Sequence, residues 1–134
     1  MAGSVTITHQ DNRSVRQVVF AWTSDASGDV STGAGLTSFS ISGEILRITT
    51  DPGATAPTAN YDVVINDADG IDIAMGFLAN RHTTNSESVV PLASTTLSGN
   101  PVASGCPVFV DGTIELVVSN AGNAKQGTVR VYYR

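Results

Sequence analysis

The chain has 134 residues, of which 41% are hydrophobic and only 14% charged, and seven basic against twelve acidic side chains give a net charge of −5. That length fits one domain, 1–134, and the acidic balance excludes a nucleic-acid binder, whose phosphate contacts need clustered Lys and Arg. No stretch approaches the roughly 20 consecutive apolar residues of a membrane helix, Met1–Val5 shows no signal-peptide pattern, and the single Cys106 allows no intrachain disulfide, which points to synthesis in a reducing cytoplasm.

Ser and Thr together supply 29 residues, so hydroxyls rather than ions coat the surface. Helical periodicity is nearly absent, while period-2 runs bounded by turn residues recur. Val5–Thr8 alternates apolar with hydroxyl and reads as a short first strand, followed by a polar break at Gln10–Arg13; residues 1–14 read as an extended arm. Val15–Thr23 is the clearest strand, with Val18, Phe20 and Trp22 on the inward face and a fairly apolar opposite face, as in a central strand. Ser24–Ser38 is of low complexity and reads as a mobile loop, unable to bury enough surface to offset its ordering entropy.

Phe39–Thr50 resumes as strand, with Gly43 at a bulge or sharp bend. Asp51-Pro52-Gly53 turns the chain. Tyr61–Asn66 is the next strand, with Tyr61, Val63 and Ile65 on one face, and Asp67–Gly70 turns again. In Ile71–Asn80 a strand leads and one helical turn capped by Asp72 follows. Arg81–Gly105 is polar and loop-rich, with an edge strand within Val89–Leu97. Val108–Val110, Ile114–Ser119 and Thr128–Tyr133 are strands, the last two joined by the loop Asn120–Gly127. Eight or so short strands with at most one short helical turn predict an all-β fold, an antiparallel β-sandwich or jelly-roll-like barrel.

No residue pattern points to catalysis, a cofactor or a metal. Asp67, Asp69 and Asp72 with Gly70 invite calcium, but in the EF-hand frame Gly falls at the fourth position and Leu78 at the twelfth, so the motif fails. Turns whose Asp side chains bond their own backbone account for the same residues. His9 and His82 are far apart with polar neighbours and read as surface or loop histidines. No Gly-x-Ser-x-Gly elbow occurs. Cys106 has only Asp111 as a nearby ionisable neighbour, the wrong charge to activate a thiol, and reads as buried and structural. Most acids lie in turns, so the paired carboxylates of a glycosidase are not indicated. The arginines stand out beside the lone Lys125: Arg13 and Arg16 flank the second strand, Arg81 with His82 opens the long polar segment, and Arg130 and Arg134 lie in the last strand region. Arg is enriched at protein interfaces, which makes Arg13, Arg16, Arg81 and His82 the interface candidates beside the ordinary reading of solvated side chains.

Several segments carry a family likeness: Ser14-Val15-Arg16 leading to Phe20–Ser24, Gly43–Arg47, Thr50–Gly53, Pro57–Val63, Asp69–Asp72, Ser119–Gly122 and Gly127–Tyr132. In these, the chain resembles small structural proteins of tailed bacteriophage virions, most of all head decoration (capsid cement) proteins. The segments occur in order between Ser14 and Tyr132. The resemblance implies a β-rich, non-enzymatic protein made in the bacterial host cytoplasm and carried on the capsid exterior. Its implied partners are the major capsid protein and other copies of itself, with no nucleic acid and no membrane. A tail or head–tail connector subunit is the alternative, and a carbohydrate-binding module on the virion ranks below it. Segments expected to order on binding are Ala2–Arg16, Asp25–Ser38 and Arg81–Gly105.

Overall fold

The computed structural model describes residues 3–31, 39–97 and 100–134. Nine strands lie among them: β1 (Ser4–Asn12), β2 (Val15–Thr23), β3 (Phe39–Pro52), β4 (Asp62–Asn66), β5 (Glu87–Val89), β6 (Leu92–Leu97), β7 (Asn100–Pro107), β8 (Phe109–Ser119) and β9 (Gln126–Tyr133). All pairings are antiparallel. Seven strands are joined by hydrogen bonds, six along the path β1-β2-β9-β3-β8-β4 and β5 on β3 beside it, and β6 pairs with β7 as a separate ribbon.

The path folds over on itself because β3 serves two groups of neighbours. Its first half, Phe39–Glu44, pairs with β8. Its second half, Ile45–Pro52, pairs with β9 on one side, and Ile48–Thr50 pair with β5 on the other. The change of partner comes at Gly43–Arg47, where the register with β9 slips between Ile45 and Arg47, a bulge that bends the strand. Gly43 sits there at φ 151° with the Arg134 carbonyl so close that a Cβ would overlap it. The joint is closed by Glu44 N–H donating to the Arg134 carbonyl (2.8 Å), Arg134 N–H to Glu44 (3.0 Å) and Ile45 N–H to Val108 (2.8 Å). A strand that passes between layers at a bulge is a standard corner of a sandwich. One layer holds β1, β2, β9, the second half of β3 and β5; the other holds the first half of β3, β8 and β4.

The core between the layers follows from alternation. In β9, Gly127, Val129, Val131 and Tyr133 are buried and the residues between them are not. Val18, Phe20 and Trp22 of β2, Ile48 of β3, Val63 and Ile65 of β4, and Ile114, Leu116 and Val118 of β8 join them in one buried cluster. Fully burying each such aliphatic side chain favours folding by roughly 1.5–3 kcal/mol. Trp22 and Tyr61 meet across the layers with ring centroids 5.8 Å apart. At the other end His9 stacks on Phe39 at 4.8 Å, and its Nε2 lies 2.8 Å from the Tyr133 hydroxyl.

The inward faces predicted for Val15–Thr23 and Tyr61–Asn66, and the bend at Gly43, match this architecture. Several local expectations do not. The polar residues Gln10–Asn12 are strand, because β1 pairs with β2 along its whole length, from Ser4↔Thr23 to Asn12↔Val15. So residues 4–12 are an edge strand and not a free arm. The two-residue turn Arg13-Ser14 closes this hairpin, with Arg13 at φ 69°. In the segment read as a mobile loop, Ser24–Ser31 is fastened down. Val30 is fully buried and bridges Val118, and Asp25 Oδ1 accepts the N–H groups of Ser27 (2.8 Å) and Asp29 (2.9 Å). One apolar residue and one acid turn suffice there, although the composition is loop-like; residues 32–38 of that prediction lie outside the described residues. Arg81–Gly105 contains β5, β6 and most of β7, its alternating hydroxyl and small residues pairing as strands despite two prolines. Ile71–Asn80 forms successive turns in place of a strand and a helical turn, with only the bridge Asn66↔Asp72 continuing the hairpin. Cys106 is exposed, contrary to the buried reading; it lies in β7, whose only strand partner among the described residues is β6.

Candidate functional site: the outward face of the larger layer

Alternation that buries one face of β2, β9 and β3 pushes the other face outward. Register then sets which outward residues are neighbours. One cross-strand row runs Gln10–Gln17–Tyr132–Arg47, the next Thr8–Val19–Arg130–Thr49–Ser88, and the next Thr6–Ala21–Thr128–Asp51. On β1 and β2 the rows are uncharged, made of Gln, Thr, Val and Ala. On β9, β3 and β5 they gather charge.

There an open trough of about 350 Å³ is lined by Arg47, Thr49, Asp51, Ser86, Ser88, Arg130 and Tyr132, with Thr50 and Glu87 at its edge. Its size lies within the range of small-ligand sites. Arg130 Nη1 reaches Asp51 Oδ2 at 3.6 Å, and Ser86 Oγ donates to Asp51 Oδ1 at 2.7 Å. The Arg47 guanidinium lies over the Tyr132 ring, 5.2 Å from its centroid, a cation–π contact. Thr49, 8% exposed, sits between them, and its Oγ1 has no hydrogen-bond partner among the described residues. Buried hydroxyls are nearly always satisfied, so an unpartnered one stands out.

The four residues singled out as interface candidates fall into two separate pairs. Arg13 and Arg16 lie at the β1–β2 turn, where Arg16 Nε bonds Asp11 Oδ2 at 3.2 Å. The Arg13 N–H donates to Asp11 Oδ1 at 2.9 Å, and that backbone bond is the main reason the Asp11 carboxyl is held below its ordinary pKa. Arg81 and His82 lie beside β5. Arg81 Nη2 donates to the Ala79 carbonyl at 2.9 Å, and Nη1 lies 3.5 Å from Glu87 Oε2. The His82 N–H donates to the same Glu87 oxygen at 2.8 Å. His82 Nδ1 accepts the N–H groups of Thr84 (3.1 Å) and Asn85 (3.0 Å), so this ring closes a turn. The two pairs sit at different levels of the sheet: Arg16 is opposite Tyr133 of β9, whereas Glu87 is opposite Thr50, which faces Val129. Four residues along β9 separate those levels by about 13 Å.

Residue type drew notice to Arg130, though not as an interface candidate, and nothing in the sequence pointed to the trough around it. The period-2 pattern Arg47, Thr49, Asp51 is visible in the sequence, yet its meeting with Arg130 and Tyr132 depends on a register between strands some 80 residues apart. Near Asp67, the calcium alternative gives way to backbone turns. Asp67 Oδ1 accepts Asp69 N–H (3.0 Å) and Ile71 N–H (2.9 Å), and Asp72 accepts from Ile65, Ala74 and Gly76. Among the described residues no three His, Cys, Asp or Glu side chains converge as a metal would need.

No protein-family model matches this chain, and no curated protein matches it. A solved cupin domain from Bordetella pertussis Tohama I aligns over 100% of this chain and 97% of its own, at 12% identity and a TM-score of 0.33. A likeness that loose carries no argument about this chain.

Proposed function

We propose that this chain is a structural protein of a tailed-bacteriophage virion, acting as a capsid decoration protein. In this reading it binds the outer capsid surface, bridges neighbouring major capsid subunits and stabilises the head. The observation that carries the reading is the set of short segments, in order from Ser14-Val15-Arg16 to Gly127–Tyr132, that resemble such proteins. Two features are consistent with it. The chain is built of antiparallel β-strands, and its larger layer presents a broad outward face of Thr, Ser, Gln and Arg. Such a face supports many modest contacts, and repetition over a lattice, with self-association, converts modest contacts into avidity. Arg13 and Arg16 at one end of that layer and Arg81 and His82 near its β5 edge are the contact residues to change first.

The test is copy number in purified virions, measured by quantitative mass spectrometry against the major capsid protein. Copies in a simple ratio to the capsid protein support decoration. Copies at the level of one vertex or of the tail refute it in favour of a connector or tail subunit. Absence from the particle refutes the virion assignment altogether.

A further inference from the structure

The trough between β9, β3 and β5 has properties that the virion reading does not use. We propose that it is a carboxylate-binding site, with the Arg47 and Arg130 guanidiniums as its cationic walls and the Thr49 hydroxyl as the donor on its floor. The proposal stands whether or not the chain belongs to a virion.

Charge is the first argument. Glu87 touches the trough, but register with Thr50 turns it to the other face, where Arg81 and the His82 N–H engage its carboxylate. With the Glu87 carboxylate so neutralised, the remaining charged side chains that line the trough are Arg47, Arg130 and Asp51. They leave one positive charge in excess on a chain whose net charge is −5. A monoanion brings the site to neutrality, whereas a phosphate dianion overshoots.

Preorganisation is the second. Arg47 makes no ion pair or hydrogen bond among the described residues, while its guanidinium carbon lies 5.2 Å from the Tyr132 ring centroid, a contact that restrains the side chain. Its edge N–H groups are thus presented without an acceptor, and a planar guanidinium matches a planar carboxylate. Arg130 is oriented by Asp51 and keeps further donors for a second anion. The third argument is the Thr49 hydroxyl, buried without a partner between the two arginines. An O–H donor there completes the coordination that a carboxylate oxygen accepts.

The experiment follows arginine Nε–Hε signals of the ¹⁵N-labelled chain, assigned with Arg47→Gln and Arg130→Gln variants. Sodium acetate is titrated at neutral pH, with sodium chloride at matched ionic strength and acetamide, the uncharged isostere, as controls. The expected result is saturable movement of the Arg47 and Arg130 signals with acetate alone. Affinity should fall about tenfold in Arg47→Gln and about threefold in the isosteric Thr49→Val, as loss of charged and neutral hydrogen bonds implies. A dispersed amide spectrum for each variant establishes that it is folded. N-acetyl-Asp-Glu-Asp-amide, run in parallel, separates the sources. Tighter binding than acetate assigns the site to acidic side chains of a protein partner, and weaker binding assigns it to free small carboxylates. Equal shifts with chloride or acetamide, or unchanged acetate affinity in Arg47→Gln, overturn the proposal.

Discussion

Gly127 tests whether the packing between β2 and β9 is as tight as the coordinates show. It lies opposite Trp22 in β2 and opposite Pro52 in β3. A Cβ added to it would stand 2.5 Å from Trp22 Cζ2, 2.7 Å from Cε2 and 3.0 Å from Nε1. The indole cannot swing away freely, because Trp22 is 2% exposed and its ring meets Tyr61. Forcing a methyl into such a core costs roughly 1–3 kcal/mol. Replacing Gly by Ala also lowers the entropy of the unfolded chain, which offsets about 0.4–1 kcal/mol. Gly127→Ala should therefore destabilise by about 0.5–2 kcal/mol. Urea unfolding followed by circular dichroism measures this, and the fluorescence of the sole tryptophan reports the displaced ring. The sharper test is the double-mutant cycle with Trp22→Phe, whose smaller ring leaves room for the methyl. The Ala substitution should then be neutral or stabilising, a coupling of roughly 1 kcal/mol or more. Additivity of the two changes, or a stabilised Gly127→Ala single variant, would refute the reasoning.

Three further outcomes follow from local geometry. Arg13→Gly should stabilise by about 0.5–1 kcal/mol in thermal unfolding, since φ 69° costs a side-chain-bearing residue roughly 1–2 kcal/mol and glycine's extra unfolded-state freedom cancels only part of that. Asp72→Ala should cost roughly 1–3 kcal/mol in urea, because its carboxylate accepts three backbone N–H groups that otherwise lose their partner. Burial raises the Tyr61 hydroxyl above its ordinary value of 10.0, so the folded state holds that proton more tightly than the unfolded state. Its contribution to stability is complete below pH 10 and is lost as pH rises through the folded pKa. Unfolding free energy measured across the alkaline range should decline, and less steeply in Tyr61→Phe. Tyr133, also raised by burial, accounts for a remainder of the same sign.

Burial of the central strands was legible wherever one face is purely apolar: Val18, Phe20, Trp22 and Tyr61, Val63, Ile65 declare themselves by period 2 alone. β1 was partly hidden, because Gln10, Asp11 and Asn12 have polar side chains while their backbones complete a hairpin that β2 dictates. Val30 was hidden too, since its burial depends on a bridge to Val118, far along the chain. Cys106 misled for the converse reason, since it lies in the separate β6–β7 ribbon, where its side chain is exposed. The trough was legible only in fragments. Arg130 stood out by residue type, but Thr49 as an orphan donor exists only once β3, β5 and β9 are in register.

The position of β9 has a consequence for how this protein comes into being. This strand lies between β2 and β3, yet it is the last of the nine to be synthesised. Until residues 126–133 emerge, the β1–β2 hairpin and the second half of β3 have no bonds to each other, and each offers an open backbone edge. Closing the layer joins segments about 80 and 110 residues apart, which is slow because distant loops must be closed before any contact rewards them. The larger layer therefore cannot close before its last strand is made, and nascent chains at high expression form a crowd of unfinished sheets prone to pair with one another. Growth temperature and rate of expression, more than the stability of the finished molecule, then govern how much of it is recovered in native form.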